Sequence, residues 1–512
     1  MKVKTTLLLF LSLPLLSSLG GASNCVSPSS TARTEEAAAN SSQNTPGLAK
    51  RIQRVENGLL LPVVVRGQPI VPMKLADRMQ FFNTPGVSIA VINNGRIEWA
   101  RGYGVRAAGS SEQVTTETLF QAGSISKAVT AMAALRLVQQ GKLNLDEDVN
   151  RRLVSWRIPE NEFTREQKVT LRTILSHTAG LTNNSVGEYA FGTELPTLLQ
   201  SLDGVKPANS PPIRVDYVPG SRFRYSGGGY TVLQQLLTDV ERKPFPEVMR
   251  EIILTPLGMT RSTFRQPLPE GLRASAAVGH GLNGEKIAGN WRVYPETAAA
   301  GMWSTPSELA RLLIEVQQSK AGHPNKVLST STVNQMLTPQ TGGWGLGFVV
   351  AGQGRPARFS HGGDTQGFNN VMVAYSDSGQ GAVIMTNSVR GNALLNEILR
   401  SIAKEYGWMD YQPVERTIAV VDRKTYDGYI GQYQLEISPD YVVTISVEAD
   451  KLMMEIKQPV GRLKAELLPE SETRFFRTDV DVQVTFVKDE RGQITGLILH
   501  QQGAEYRARR SG

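Results

Sequence analysis

The sequence predicts an α+β fold: one mainly antiparallel sheet built from both ends of the main domain, a helical insertion between them, and a small all-β domain behind. Three observations carry this. Residues 86–92 and 96–100 alternate apolar residues around Asn93-Asn94-Gly95, a strong hairpin signal. A second strand series, at 344–348, 358–361, 370–375 and 381–386, closes on a helical pattern at 392–406, with helices between the two series. Beyond residue 426 come short alternating segments at 441–447, 451–456, 482–487 and 494–500, separated by turns, as in a lipocalin-like antiparallel meander.

Taken in order, Lys2 and Lys4 precede an apolar run at 7–16, and Gly20-Gly21-Ala22 offers a small-residue cleavage site. The run is too short to span a bilayer, so residues 1–22 read as a secretory signal and the protein as exported, periplasmic or extracellular, without an integral membrane span. Lipid anchoring at Cys25 is the lesser alternative, because Asn24 fits badly where a small residue belongs. Residues 23–50 are rich in Ser, Thr, Asn and Ala and read as a disordered linker. The main domain is expected at 51–408, a second linker at 409–422, and the β domain at 423–512.

Composition sets limits on function. A net charge of +8 spread over 512 residues gives no basic block, which argues against nucleic acid. Five scattered histidines and a single cysteine build no metal-ligand pattern. The stretch Gly102-Tyr103-Gly104-Val105-Arg106-Ala107 follows a hairpin strand and opens no helix, so its glycines read as turn glycines rather than a dinucleotide site. No cofactor or metal is expected.

The informative stretch is Ser124-Ile125-Ser126-Lys127, leading into an apolar run at 128–138. At the start of a helix, residues three apart share a face, so the Lys127 amine can reach the Ser124 hydroxyl. A helix apolar almost all round is buried. Burial disfavours the charged amine, which would leave Lys127 able to take the Ser124 proton, while unpaired amides at the helix start favour negative charge. The bland alternative is a helix cap beside a solvated lysine. His177 ends a helical pattern at 169–176 and reads as a structural histidine holding that loop. Residues 185–219 lack a clean period and suggest a surface insertion beside the site. Residues 222–226 read as a short strand, three glycines then precede a helix at 231–241, and Tyr225 would present its hydroxyl to a cleft unless it is a core aromatic. Thr305-Pro306 caps a helix running to about residue 318.

Ser124-Ile125-Ser126-Lys127, Tyr225-Ser226-Gly227 and His361-Gly362-Gly363, in that order, resemble the three motifs of the serine β-lactamase and penicillin-binding-protein superfamily, over roughly residues 75–408. The resemblance is nearest to the class C branch, which includes esterases, D-aminopeptidases and DD-peptidases. It implies a β-lactamase-like fold, Ser124 as nucleophile, Lys127 as general base and Tyr225 as proton relay. His361, Gly362 and Gly363 would bound the substrate, and the amides of Ser124 and Asp364 would form an oxyanion hole. Two departures matter: Gly227 replaces the usual asparagine, and His361-Gly362 replaces the lysine and hydroxyl residue that anchor a substrate carboxylate. Charge-assisted bonds to that carboxylate are worth about 1.5–3 kcal/mol. The expectation is an acyl-enzyme hydrolase acting on a small-molecule or peptide ester or amide. A true β-lactamase or DD-peptidase, or a non-catalytic cell-wall-peptide binder, remain the alternatives. The sequence does not fix the oligomeric state.

Overall fold

The computed structural model describes residues 46–182, 187–351, 357–437, 440–458, 461–501 and 503–511; the apolar run at 7–16 and Cys25 lie outside them. Two compact units emerge, one holding Ala76–Leu395, the other Lys50–Leu75 with Asn396–Gly512.

The larger unit is organised on a six-stranded sheet. Its strands in chain order are β1 (Gly86–Asn93), β2 (Arg96–Gly104), β3 (Val349–Ala351), β4 (Arg358–Thr365), β5 (Phe368–Tyr375) and β6 (Gly381–Thr386). In space they run β2-β1-β6-β5-β4-β3, every neighbouring pair antiparallel. The hairpin closes as expected, with Asn94 and Gly95 both at positive φ. The two chain ends meet where β6 pairs β1, Ile384 opposite Ile89. Three long helices belong to the insertion: α1 (Ile125–Gln139), α2 (Gly227–Glu241) and α3 (Pro306–Lys320). Helix α1 is buried from Ile125 through Leu135, as its composition requires. It lies against β4 and α2, while α3 packs across β1, β2, β5 and β6. The Thr305 hydroxyl caps α3 on the Glu308 amide at 3.3 Å, with Pro306 at the first helical position.

Several elements differ from the sequence reading. Residues 222–226 form no strand; Ser226 is instead the N-cap of α2, its hydroxyl accepting from the Gly229 amide at 3.0 Å. Gly227, Gly228 and Gly229 are therefore the first turn of the helix, where capping and burial outweigh poor helix propensity. Strand β4 does not stop at the glycines but runs through Gly362, Gly363 and Asp364, held in register by Val371, Asn370 and Asn369 of β5. The strand after Trp344 begins only at Val349. The helix expected at 169–176 is one capped segment, Leu171–Leu175. Residues 185 and 186 of the insertion are outside the described residues, but its remainder holds a strand, Tyr189–Ala190, and a helix, Leu198–Asp203, which starts with a Thr197–Gln200 capping box.

A helix begins at Pro46, within the expected linker, and runs into the other unit as far as Glu56, where Ile52 and Val55 are buried. The connector at 409–422 also carries structure: Val414–Arg416 pairs in parallel with Val63–Val65. The C-terminal strands close into a barrel of eight, from Gly431–Leu435 to Ala504–Ser511, each pairing the next and the last returning to the first. Closure removes free edges. Tyr429, Tyr433, Phe475 and Phe486 fill its interior with stacked and edge-on rings.

Candidate active site

The site forms where α1 begins. Ser124 stands at the N-cap position with helical backbone angles, and its side chain caps nothing, which leaves the hydroxyl free for other partners. The Lys127 Nζ lies 3.0 Å from that Oγ, as the three-residue spacing anticipates, and 2.8 Å from the Ala299 carbonyl, which accepts from it. Lys127 is 1% exposed, and burial lowers its amine from 10.5 to about 7. A primary amine that is substantially neutral at this distance can accept a hydroxyl proton. The Tyr225 phenol lies beside the Ser124 side chain, and Lys127 Nζ sits 5.0 Å from the centre of its ring. Burial pushes this phenol up, so it stays protonated at neutral pH and has a proton to give.

Strand β4 crosses directly over the residue pair that precedes the serine. A Cβ on Gly363 would stand 1.9 Å from the Ala122 carbonyl, and one on Gly123 would stand 2.8 Å from the Asp364 amide. Gly123 also has φ +55°, a conformation that favours glycine. Two backbones thus approach more closely than side chains allow, which brings the Asp364 amide beside the start of α1. Along this part of β4, buried and exposed residues alternate: His361 and Gly363 are buried, Gly362 and Asp364 exposed. The Asp364 carboxylate accepts from the side-chain amides of Asn369 at 2.6 Å and Asn392 at 3.1 Å.

His361 is 3% exposed, its Nδ1 donating to the Gly362 carbonyl at 2.6 Å and its ring meeting Trp344 edge-on at 5.3 Å. Burial lowers it to about 3, so it is neutral at physiological pH. The strand that would carry a cationic anchor therefore carries none at this position. His177 comes to the same place: its ring centre lies 4.4 Å from that of Tyr225, and the Trp344 ring meets Tyr225 at 5.5 Å. The structure thus brings Ser124, Lys127, Tyr225, His361, Gly363 and the Asp364 backbone together. The sequence reading had not placed Trp344 or the Ala299 carbonyl here, because neither lies within a recognisable motif. Among the described residues, no group of three or more His, Cys, Asp or Glu side chains is placed to hold a metal ion, and no helix is long and apolar enough to cross a membrane.

A buried lysine bonded to a serine at the head of a buried helix, under a glycine strand, defines a class, and sequence comparison assigns the chain to it. A family model described as Beta-lactamase matches residues 74–406, and a second, a domain of unknown function (DUF3471), matches 416–510. The chain belongs to the beta-lactamase family and is a serine hydrolase of that fold. Penicillin-binding protein 4* of Bacillus subtilis (strain 168) is 24% identical over 460 residues, covering 85% of this chain and 96% of its own. The octameric penicillin-binding protein homologue from Pyrococcus abyssi superposes with a TM-score of 0.57 at 22% identity, over 85% of this chain and 98% of its own. The D-amino acid amidase from Ochrobactrum anthropi SV3, solved with L-phenylalanine amide, gives 0.52 at 19% identity, over 70% and 99%.

Proposed function

We propose that this protein is an exported hydrolase that cleaves an ester or amide lacking a recognised carboxylate, through an acyl-enzyme on Ser124. The observation that carries the reading is the buried Lys127 amine, lowered to about 7 and 3.0 Å from the Ser124 hydroxyl. The Ser124 Oγ attacks the carbonyl carbon as its proton passes to Lys127. The new Oγ–C bond forms, the oxygen develops negative charge, and the Ser124 and Asp364 amides donate to it. As the intermediate collapses, the bond to the leaving oxygen or nitrogen breaks and Tyr225 supplies the proton, recovering one from Lys127. Water then repeats the sequence and frees the acid.

The specificity argument rests on charge. His361 is buried and neutral and Gly362 offers no side chain, so a β-lactam or terminal D-alanine carboxylate lacks its cationic anchor. An activated ester needs no such contact. One structural neighbour is by name an amidase, which keeps amides within the reading. Export rests on the signal-like residues 1–22.

Intact-mass spectrometry after mixing with nitrophenyl acetate and, separately, a penicillin tests the proposal. The expected result is a Ser124 acetyl adduct that turns over, with penicillin acylation slower by at least tenfold. Efficient hydrolysis of a chromogenic cephalosporin would restore β-lactamase as the reading, and the lack of any adduct would point to a binding protein.

A further inference from the structure

His177 does more than hold its loop. It follows the helix Leu171–Leu175 with φ +58°, in a left-handed conformation that costs a residue with a Cβ on the order of 1 kcal/mol and is usually given to glycine. A loop anchor alone does not call for an imidazole there. The ring is 2% exposed, and its surroundings show what it holds. Its Nδ1 accepts from the Ser226 amide at 3.1 Å, and its own carbonyl accepts from the Arg224 amide at 2.8 Å. The two residues on either side of Tyr225 are therefore both tied to His177. Between these ties, the imidazole lies against the tyrosine ring at 4.4 Å and 37°, with Trp344 edge-on to the imidazole and tilted against the tyrosine.

The far side of the clamp is fixed as well. The Ser226 hydroxyl donates to the Thr182 carbonyl at 2.9 Å, and the Arg224 guanidinium donates to the Gly180 and Leu181 carbonyls at 3.0 and 2.9 Å. Because Nδ1 accepts, the proton of the neutral ring resides on Nε2, which is buried and has no hydrogen-bond partner. The imidazole thus makes one directed bond, to the backbone beside Tyr225, and otherwise packs on aromatic rings. Burial holds it neutral.

We infer that His177 is a positioning residue for proton delivery: it fixes the Tyr225 phenol between Ser124 and the departing group. This rests on Tyr225 acting as the proton donor proposed above. A poorly positioned phenol slows expulsion of a basic leaving group, which needs the proton, and leaves nitrophenolate expulsion almost unchanged. A role confined to holding the loop would lower all substrates alike.

The test is a series of aryl acetates, from nitrophenyl to unsubstituted phenyl, with kcat/KM measured for wild type, Tyr225→Phe, His177→Gly and His177→Asn. Glycine tolerates the backbone angle but lacks the ring, whereas asparagine tolerates it and offers an acceptor to the Ser226 amide. His177→Gly is expected to lose about tenfold more on phenyl acetate than on nitrophenyl acetate, in the direction of Tyr225→Phe. His177→Asn is expected to recover much of that difference. Equal losses on both esters in His177→Gly, with the split present in Tyr225→Phe, would overturn the role of His177. A missing split in Tyr225→Phe would instead remove Tyr225 as donor, and this inference with it. Should the glycine variant not fold, His177→Phe, which keeps a ring against Tyr225 but offers no acceptor to the Ser226 amide, serves the same comparison.

Discussion

On the proposed mechanism, Lys127 is placed for chemistry at a cost to stability. Its amine falls from 10.5 in the unfolded chain to about 7 when buried, a shift equivalent to about 5 kcal/mol of desolvation penalty below pH 7. Between those two values the unfolded chain binds the extra proton, so stability from this group rises with pH across the window. Lys127→Met fills the space without the charge. It strands the Ala299 carbonyl, which costs about 1–3 kcal/mol, and should still gain roughly 2–4 kcal/mol near pH 6. Denaturant melts of the two proteins at pH 6 and pH 10 check this: the variant should be inactive, more stable at pH 6, and lose its advantage by pH 10. A less stable variant at pH 6 would mean that the lysine charge is compensated in the folded protein.

At the scale of elements, the site depends on β4 passing over the start of α1 with no side chain between them. Gly363→Ala would place a methyl group 1.9 Å from the Ala122 carbonyl, whereas Gly362→Ala meets only the Asn370 carbonyl at 3.8 Å. The first should displace the Asp364 amide and lower kcat on nitrophenyl acetate about a hundredfold; the second should stay close to wild type. Equal activities would separate the strand crossing from catalysis. This crossing also marks what the sequence made legible. Ser124 and Lys127 could be paired from spacing alone because one helix turn fixes their geometry. Tyr225 and the β4 glycines were recognisable only as motifs in order. Their secondary structure was misread: Tyr225 sits before a helix cap rather than on a strand, and β4 continues through its glycines because β5 supplies the register. Trp344 and the Ala299 carbonyl reach the site through tertiary packing, which leaves no local pattern.

The whole molecule divides its labour by unit. Ser124, Lys127, Tyr225, His177, His361 and Asp364 all belong to Ala76–Leu395, while the barrel strands belong to the other unit with their own aromatic core. The meander was legible from four alternating segments. The strand Ala504–Ser511 was not, since two alanines and one tyrosine among charged residues mark no clear apolar period. A chain ending at Val421 keeps the pairing of Val414–Arg416 with Val63–Val65 and should acylate Ser124 within about threefold of the full chain's rate. A folded truncation unable to acylate would give the barrel a part in the site. The central claim, that a neutral Lys127 activates Ser124, is tested most directly by the pH dependence of acylation. Stopped reactions with nitrophenyl acetate, followed by mass mapping, should show an adduct on Ser124 whose rate rises with pH through a midpoint near 7 and vanishes in Lys127→Arg. An adduct that forms at the same rate from pH 5 to pH 9, or that persists in Lys127→Arg, would contradict it.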